Sequence, residues 1–277
     1  MNRLRISAIS YLNTAPLMWD FEHGDAGRGF EISYTLPSAC ARDLRAGMAD
    51  IGIIPAAAYA QIPRLKILPE VAIASRRAVR SILLVSKLPI EKIRTVALDD
   101  SSLTSVALTK ILFEKWLGGR KAYTSMPPNI KKMLAACDAA LLIGDPALRV
   151  DRSRYVTLDL AEEWIRYTGK PFVFAFWAVR SDVAEQAASQ DLAGLFQQSR
   201  DHGLEAASLD VISRQWAPRL GISQDSVRAY LTQNIHYRLD AACLDGLLLF
   251  YGYAAEIGAL SSSPEINFLN SPRACIA

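Results

Sequence analysis

The alternation of short apolar runs with helical patterns is the feature that most constrains the fold of this chain. An apolar run at 4–9 precedes a helical pattern at 15–24, and a second helical pattern separates the apolar runs at 30–36 and 49–55. The same alternation then starts again and continues through 95–145. A succession of strand, helix, strand, helix and strand predicts a parallel sheet covered by helices. The sequence therefore predicts two α/β lobes, each built on its own sheet.

Two β-rich runs, at 79–86 and 172–180, predict that the chain crosses twice between these lobes. From residue 181 to about residue 260 nearly everything is helical in pattern, which predicts closing helices that return to the first lobe. The predicted lobes are residues 1–84 plus 181–277 for the first and residues 85–180 for the second. We therefore expect a two-lobed clamshell with a ligand cleft between the lobes, beyond the carboxyl ends of the strands.

Composition and charge exclude several classes of protein. The 277 residues are 51% hydrophobic and 21% charged, which is rich enough for a substantial core and argues against disorder. A net charge of +3 with scattered Lys and Arg residues predicts no nucleic-acid groove and no membrane patch, but it suits a small anionic ligand. No apolar run approaches the length of a membrane span.

The spacing of the cysteines and the absence of the known catalytic motifs predict a protein without a metal and without a cofactor. Cys40, Cys137, Cys243 and Cys275 are far apart in sequence, so their spacing offers neither a zinc knuckle nor a redox pair. The sequence has no His-Glu-x-x-His zinc helix, no Gly-x-Ser-x-Gly nucleophile turn and no phosphate-binding glycine loop. We therefore expect buried, reduced thiols that pack as small apolar groups.

The first ten residues predict a cytoplasmic location. They contain basic residues but no continuous apolar stretch, and no small-residue cleavage site follows them.

Small polar residues are concentrated where predicted strands end and helices begin. Because a helix N-terminus presents free N–H groups and the positive end of a dipole, hydroxyls at such a junction can bind a carboxylate without arginine. The ordinary role of these residue types is helix capping, yet capping does not require several junctions to converge on one cleft. The candidate ligand contacts are Ser10, Asn13, Thr14, Ser38, Ser102, Thr104, Ser105 and Asp145. For Asp145, which precedes Pro146, the alternative is an N-cap.

The three histidines, His23, His202 and His236, all lie outside residues 87–180. The predicted second lobe therefore offers no imidazole for catalysis. Together with the missing motifs, this argues against metal catalysis and against a Ser-His-Asp nucleophile.

Several segments in the same order resemble the MqnA family, the chorismate dehydratases of the futalosine pathway to menaquinone. They include "SYLNTAPL", "VRSILLVS", "ALLIGDPAL" and "NIHYRLDAACLDGLLLF", and the resemblance runs from about residue 5 to residue 260. The resemblance implies a periplasmic-binding-protein-like fold of type II. It also implies a small dianionic substrate, chorismate, which loses water to give 3-[(1-carboxyvinyl)oxy]benzoate.

The resemblance transfers a catalytic role most readily to Asn13 in "SYLN" and to Ser81 in "VRSILLVS". The Asn13 amide can donate to a carboxylate or to the departing hydroxyl, and a turn-forming asparagine is the alternative. The other candidate contacts rank second. The proton acceptor stays open at this point, and one possibility is the enolpyruvyl carboxylate of the substrate itself. The sequence predicts no oligomeric state.

Three other functions compete with this one. The sibling 1,4-dihydroxy-6-naphthoate synthases share the fold, but they open with a Ser-Pro-Cys-Pro-Asn-Asp-like segment and use a histidine of the second lobe; neither feature is present here. A solute-binding protein is disfavoured by the N-terminal sequence. The effector lobe of a transcription factor is disfavoured because no helix-turn-helix precedes the first strand.

Overall fold

The chain forms two five-stranded sheets with helices packed on them, which confirms the predicted two-lobed α/β architecture. The structure is a computed structural model that describes residues 3–186 and 191–269. Cys275 lies outside the described residues, whereas Cys40, Cys137 and Cys243 are buried free thiols.

Ten strands are present in the described residues. They are β1 (Leu4–Ile9), β2 (Phe30–Thr35), β3 (Ile51–Pro55), β4 (Leu65–Ser75), β5 (Ile82–Ser86), β6 (Thr95–Asp99), β7 (Ala122–Met126), β8 (Ala139–Ile143), β9 (Val156–Asp159) and β10 (Phe172–Arg180).

The helices of the described residues follow or connect these strands. They are α1 (Trp19–His23), α2 (Pro37–Arg45), α3 (Ala56–Tyr59), α4 (Thr104–Lys115), α5 (Ile130–Ala136), α6 (Gly144–Leu148), α7 (Leu160–Thr168), α8 (Ser181–Gln186), α9 (Leu192–Gly203), α10 (Ala206–Leu220), α11 (Gln224–Ala229) and α12 (Ala241–Glu256). A 3-10 helix (Leu12–Met18) precedes α1, and a π-helical turn (Tyr230–Asn234) follows α11. None of the described helices is both long and apolar enough to span a bilayer.

The two sheets repeat one arrangement. The first has the strand order β2-β1-β3-β10-β4, and the second has the order β7-β6-β8-β5-β9. In each sheet three neighbouring strands are parallel, and the fourth strand in the order runs antiparallel to both of its neighbours. That antiparallel strand, β10 or β5, is the one that begins just after the chain arrives from the other lobe.

The prediction of parallel sheets is therefore wrong for part of each sheet. The three parallel strands belong to βα units, which the alternating pattern identifies correctly. A strand that enters from the other lobe starts at the opposite end of the sheet, so it runs in the opposite direction. The sequence analysis also missed the strands Leu65–Ser75 and Val156–Asp159.

The sheets do not divide the chain at residues 84 and 180, where the sequence analysis placed the lobe boundaries. Ile82–Ser86 pairs within the second sheet, whereas Phe172–Arg180 pairs with β3 and β4 of the first sheet. Every residue from Phe172 to Val179 is buried, because strands flank β10 on both edges and helices cover the sheet. We propose lobe boundaries that follow the sheets, with the chain crossing at 76–81 and again at 160–171.

One buried carboxylate ties the two crossings together. Asp159 accepts hydrogen bonds from the backbone N–H groups of Val79 (3.1 Å) and Arg80 at the first crossing. It also accepts from those of Ala161 (3.1 Å) and Glu162 (3.2 Å), so it caps α7 at the second crossing. The two connecting segments are therefore held against each other beside the cleft.

Candidate functional site

A cavity lies between the two sheets, beyond the carboxyl ends of β1, β3, β6 and β8. The space that it encloses, including the part open to solvent, is about 440 Å³. The lining residues from the first lobe are Ile9, Tyr11, Asn13, Pro37, Pro55, Ile73, Phe174 and Ala175. Those from the first crossing and the second lobe are Ser81, Ile82, Ser102, Thr104, Ser105, Ile143 and Gly144. The cavity thus occupies the position that the clamshell prediction gives to the ligand.

Five of the predicted contacts line this cavity together, namely Asn13, Ser81, Ser102, Thr104 and Ser105. Among these, the Ser102 hydroxyl accepts a hydrogen bond from the backbone N–H of Ser105 at 3.2 Å, so its proton remains available. The Ser105 side chain has no hydrogen-bond partner among the described residues and lies at the start of α4, where the helix dipole favours an anion. The cavity therefore presents neutral hydroxyl and amide donors.

Thr104 uses its hydroxyl to join the lobes rather than to face a ligand. Its Oγ1 accepts a hydrogen bond from the backbone N–H of Ala57 at 3.0 Å and donates to the carbonyl of Phe174 at 3.1 Å. Both partners belong to the first lobe, so Thr104 fixes the N-terminus of α4 against that lobe.

Ser81 is hydrogen-bonded to a side chain that does not line the cavity, Tyr230. The Tyr230 hydroxyl donates to Ser81 Oγ at 2.8 Å, and the ring is almost completely buried. Burial raises the pKa of Tyr230, while the hydrogen bond with Ser81 opposes that rise. Tyr230 is therefore a neutral donor at any working pH.

The other four predicted contacts are not among the lining residues. The Ser10 hydroxyl is exposed and donates to the carbonyl of Thr35 at 3.3 Å. The Thr14 side chain is buried. The backbone N–H of Ser38 donates a hydrogen bond to the carbonyl of Ser101 at 3.1 Å. That last hydrogen bond links the two lobes beside the cavity.

Asp145 also links the lobes. Its Oδ1 accepts from the backbone N–H of Leu12 at 3.0 Å, so it caps the 3-10 helix that carries Asn13 rather than its own helix α6. Burial raises the pKa of Asp145 to about 6, against the opposing effects of the Leu12 N–H and of Arg149. This carboxylate thus lies behind the polar wall of the cavity, not on its surface.

Tyr11 of the first lobe lies directly against Gly144 of the second lobe. Gly144 has a positive φ of 58°, and a Cβ added there would overlap the Tyr11 ring. The Gly144 N–H donates to the Ser81 carbonyl at 2.7 Å. Glycine is therefore required at this position both by the backbone conformation and by the neighbouring ring.

The lining contains no histidine, cysteine or carboxylate, the usual ligands of a catalytic metal. A different part of the described chain does bring such groups together: His236, Asp240 and Cys243 have ligand atoms within 4.8 Å of one another. There, however, Asp240 accepts from His236 at 2.6 Å and from Arg76 at 2.5 Å and caps α12 through the Cys243 N–H. These contacts give His236 a structural role.

Comparison with known proteins agrees with this architecture. A family model described as menaquinone biosynthesis matches residues 4–256, nearly the whole described chain. The chain belongs to the menaquinone-biosynthesis family. A curated member of similar sequence, the chorismate dehydratase of Thermus thermophilus, is 28% identical over 258 residues, which cover 87% of this chain and 91% of that protein. The resemblance found in the sequence is thereby confirmed.

The same fold occurs in solved structures of low sequence identity. A protein of Archaeoglobus fulgidus superposes with a TM-score of 0.73 at 17% identity, over 93% of this chain and 98% of that one. The periplasmic aliphatic sulphonate-binding protein of Escherichia coli gives a TM-score of 0.65 at 15% identity, over 97% and 96% of the two chains. These similarities confirm the periplasmic-binding-protein-like fold for this member of the menaquinone-biosynthesis family.

Sequence reasoning missed two aromatic residues of the site, Tyr11 and Tyr230. Tyr11 stands inside the quoted segment "SYLNTAPL" among the polar groups that end the first strand, but it is not one of the predicted contacts. An aromatic residue after a strand ordinarily packs in the core. Tyr230 lies just before the quoted segment that begins at Asn234. Its contact with Ser81 spans 149 residues of sequence, and no local pattern reports such a contact.

Proposed function

We propose that this chain is a chorismate dehydratase, a hydro-lyase that converts chorismate to 3-[(1-carboxyvinyl)oxy]benzoate and water in menaquinone biosynthesis. The observation that carries the proposal is the match with the Thermus thermophilus chorismate dehydratase along 87% of this chain. The cytoplasmic location expected from the sequence belongs to the same proposal.

The donors of the cavity support a dianionic substrate. Chorismate carries two carboxylates, and Ser81, Ser102, Ser105 and the Asn13 amide can each donate a hydrogen bond into the space between the lobes. The first N–H groups of α4 add the positive end of a 12-residue helix. A hydrogen bond to a charged group contributes about 1.5–3 kcal/mol, so a few such donors hold the two carboxylates without arginine or lysine.

The small set of polar groups also suits the reaction. Loss of the ring hydroxyl and of a neighbouring ring proton makes the ring aromatic, and that aromatisation supplies much of the driving force. A general base would contribute about 10²–10⁴-fold, whereas orientation in a closed cavity reaches effective molarities of about 10⁵–10⁸ M. Fixed donors that orient the substrate are therefore sufficient in principle.

We assign Asn13 and Ser81 to the reacting groups, and Ser102 and Ser105, just before and at the start of α4, to substrate binding. Because the lining offers no histidine, carboxylate or amine, the enolpyruvyl carboxylate of chorismate is the proton acceptor in this proposed reaction. Asn13 and Ser81 then donate to the departing hydroxyl or to that carboxylate and hold the two in reach of each other.

The direct test is to incubate the purified protein with chorismate and to analyse the product by mass and by ultraviolet spectrum. We expect a product lighter by one water with the spectrum of a substituted benzoate, formed without an added cofactor. Activity that is lost with a chelator and restored by zinc or magnesium would contradict the cofactor-free reaction. Recovery of unchanged chorismate from a folded protein that binds it would favour a solute-binding protein instead.

A further inference from the structure

The Ser81 hydroxyl accepts a hydrogen bond but donates none within the described residues. Its Oγ accepts a hydrogen bond from Tyr230, and its own proton has no acceptor among the described residues. The Ser81 carbonyl is also fixed, because it accepts from the Gly144 N–H at 2.7 Å. Both the backbone and the side chain of Ser81 are therefore held, and the cavity that Ser81 lines is where the free proton can point.

Tyr230 is itself held rigidly. It is 1% exposed and begins the π-helical turn Tyr230–Asn234, a wide turn of a kind that is frequent at functional sites. At the other end of that turn, the Asn234 side chain donates to the carbonyl of Ala78 at 2.8 Å. The turn is thus tied to the crossing segment that carries Ser81, so the distance between the two hydroxyls is fixed by the fold.

We infer that Tyr230 is a positioning residue for the reaction proposed above: its hydroxyl fills the acceptor side of Ser81 and thereby leaves the Ser81 proton to the substrate. A serine without such a donor is free to rotate its hydroxyl among several directions. A hydrogen bond received by Ser81 also polarises the one that it donates, since hydrogen bonds in a chain strengthen one another.

The test is a double-mutant cycle with Tyr230→Phe and Ser81→Ala, measured as kcat/KM for chorismate. Ser81→Ala removes a donor to developing charge, which costs about 10²–10³-fold in known cases. Tyr230→Phe only releases the orientation of Ser81, so we expect a smaller loss of about tenfold. In the Ser81→Ala background the same Tyr230→Phe change should have no further effect, because the group through which it acts is gone.

Tyr237→Phe is the matched control. Tyr237 is also a buried tyrosine of this region, but its hydroxyl has no hydrogen-bond partner within the described residues. Removing that hydroxyl should leave kcat/KM unchanged, which separates the role of Tyr230 from a general sensitivity of this region.

The outcomes separate this inference from the function on which it rests. A wild-type protein that does not dehydrate chorismate contradicts the proposed function, and the inference with it. A wild-type protein that turns over, combined with an equal loss from Tyr230→Phe in both backgrounds, contradicts the inference alone, because a structural role acts independently of Ser81. A loss of about tenfold that disappears in the Ser81→Ala background supports it.

Discussion

At Asn13, the difference between an amide and a carboxylate of the same shape is expected to matter most for binding a dianionic substrate. It lines the cavity at the start of the 3-10 helix, half-buried, next to the hydroxyl network of Tyr230 and Ser81. An amide brings two donors and no charge into this wall. A dianionic substrate therefore meets donors at Asn13 and no repulsion.

Replacing Asn13 by Asp tests this role. Asn13→Asp keeps the shape but exchanges a donor for a negative charge beside a substrate carboxylate. The loss of a hydrogen bond to a charged group costs about 1.5–3 kcal/mol, so kcat/KM should fall about tenfold to a hundredfold at neutral pH with little change in Tm. Asn129→Asp is the control, because Asn129 caps α5 through its oxygen, a role that Asp performs equally well. Near-normal turnover by Asn13→Asp would make Asn13 a turn residue only.

Asp145 predicts a specific dependence of stability on pH. Its pKa is raised to about 6 in the folded protein, above the value of about 3.9 for an unperturbed aspartate. The folded state therefore binds a proton more tightly than the unfolded state, and this group lowers the free energy of unfolding as the pH rises from about 4 to about 6. The upper limit of this effect is about 3 kcal/mol, reached above pH 6.

Asp145→Asn isolates that effect, because Asn keeps an oxygen for the Leu12 N–H but does not titrate. We expect the free energy of unfolding of the wild type, relative to the variant, to decline between pH 4 and pH 6 and then to level off. Denaturant titrations at several pH values measure this difference. A difference that stays constant over the same interval would show that Asp145 is not held in a desolvated position.

The residue types of the candidate site were predictable from the sequence. The sequence did not show which of these residues line the same cavity. Asn13, Ser81 and the serines of α4 follow from the resemblance and from their places at strand ends. Ser10 follows from the same reasoning, yet it is exposed and donates to Thr35, because its side chain lies on the outer side of the junction. Which way a side chain faces at a junction depends on the turn geometry, and the residue type does not specify it.

At the scale of elements, the cavity depends on a junction between a strand and a helix, where a methyl group added to Gly144 would overlap a side chain of the other lobe. Helix α6 begins at Gly144 directly after β8, with its backbone against the ring of Tyr11 from the first lobe. This approach brings the first-lobe segment that carries Asn13 close to the Ser81 carbonyl.

Gly144→Ala should therefore lower kcat/KM by more than the strain of its left-handed backbone alone would cause. A non-glycine residue with left-handed backbone costs about 1–2 kcal/mol, and at Gly144 the new methyl group also displaces Tyr11. Gly221→Ala is the control, because Gly221 has φ of 69° at the end of α10 with no atom within 4 Å of an added Cβ. Both variants should lose Tm, and only Gly144→Ala should lose kcat/KM, by about tenfold or more. Equal kcat/KM values for the two variants would contradict a role for this contact.

The elements themselves were predictable to different degrees. The βα units follow from apolar periodicity, but the predicted helix at 15–24 is divided into the 3-10 helix Leu12–Met18 and the short α1. Pro16 inside the first part has no N–H to donate, which disfavours a continuous α-helix. The strand Leu65–Ser75 was missed because Pro69 interrupts its apolar pattern. Its only partner strand is β10, and its other side forms isolated bridges with His236 and Phe268.

At the scale of the whole molecule, two sheets of the same topology are joined by two crossings of the chain, and each sheet includes one strand that begins just after a crossing. The direction of β5 and β10 within their sheets follows from the double crossing, which the sequence predicted, yet their membership in a sheet depends on pairing over long sequence distances. Asp159 fixes the two crossings to each other, and the hydrogen bonds from Leu12 to Asp145 and from Ser38 to Ser101 join the lobes across the cleft. In the described conformation, donors of both lobes therefore surround the cavity.

The measurement that tests this account most directly is a crystal structure of the protein grown in the presence of chorismate. We predict electron density for a planar aromatic product in the cavity between the lobes, with a carboxylate or the released water within hydrogen-bond distance of Ser81 Oγ and of the serines that begin α4. Density for unchanged chorismate in that cavity would contradict the proposed reaction, and product bound elsewhere with the cavity empty would contradict the proposed site.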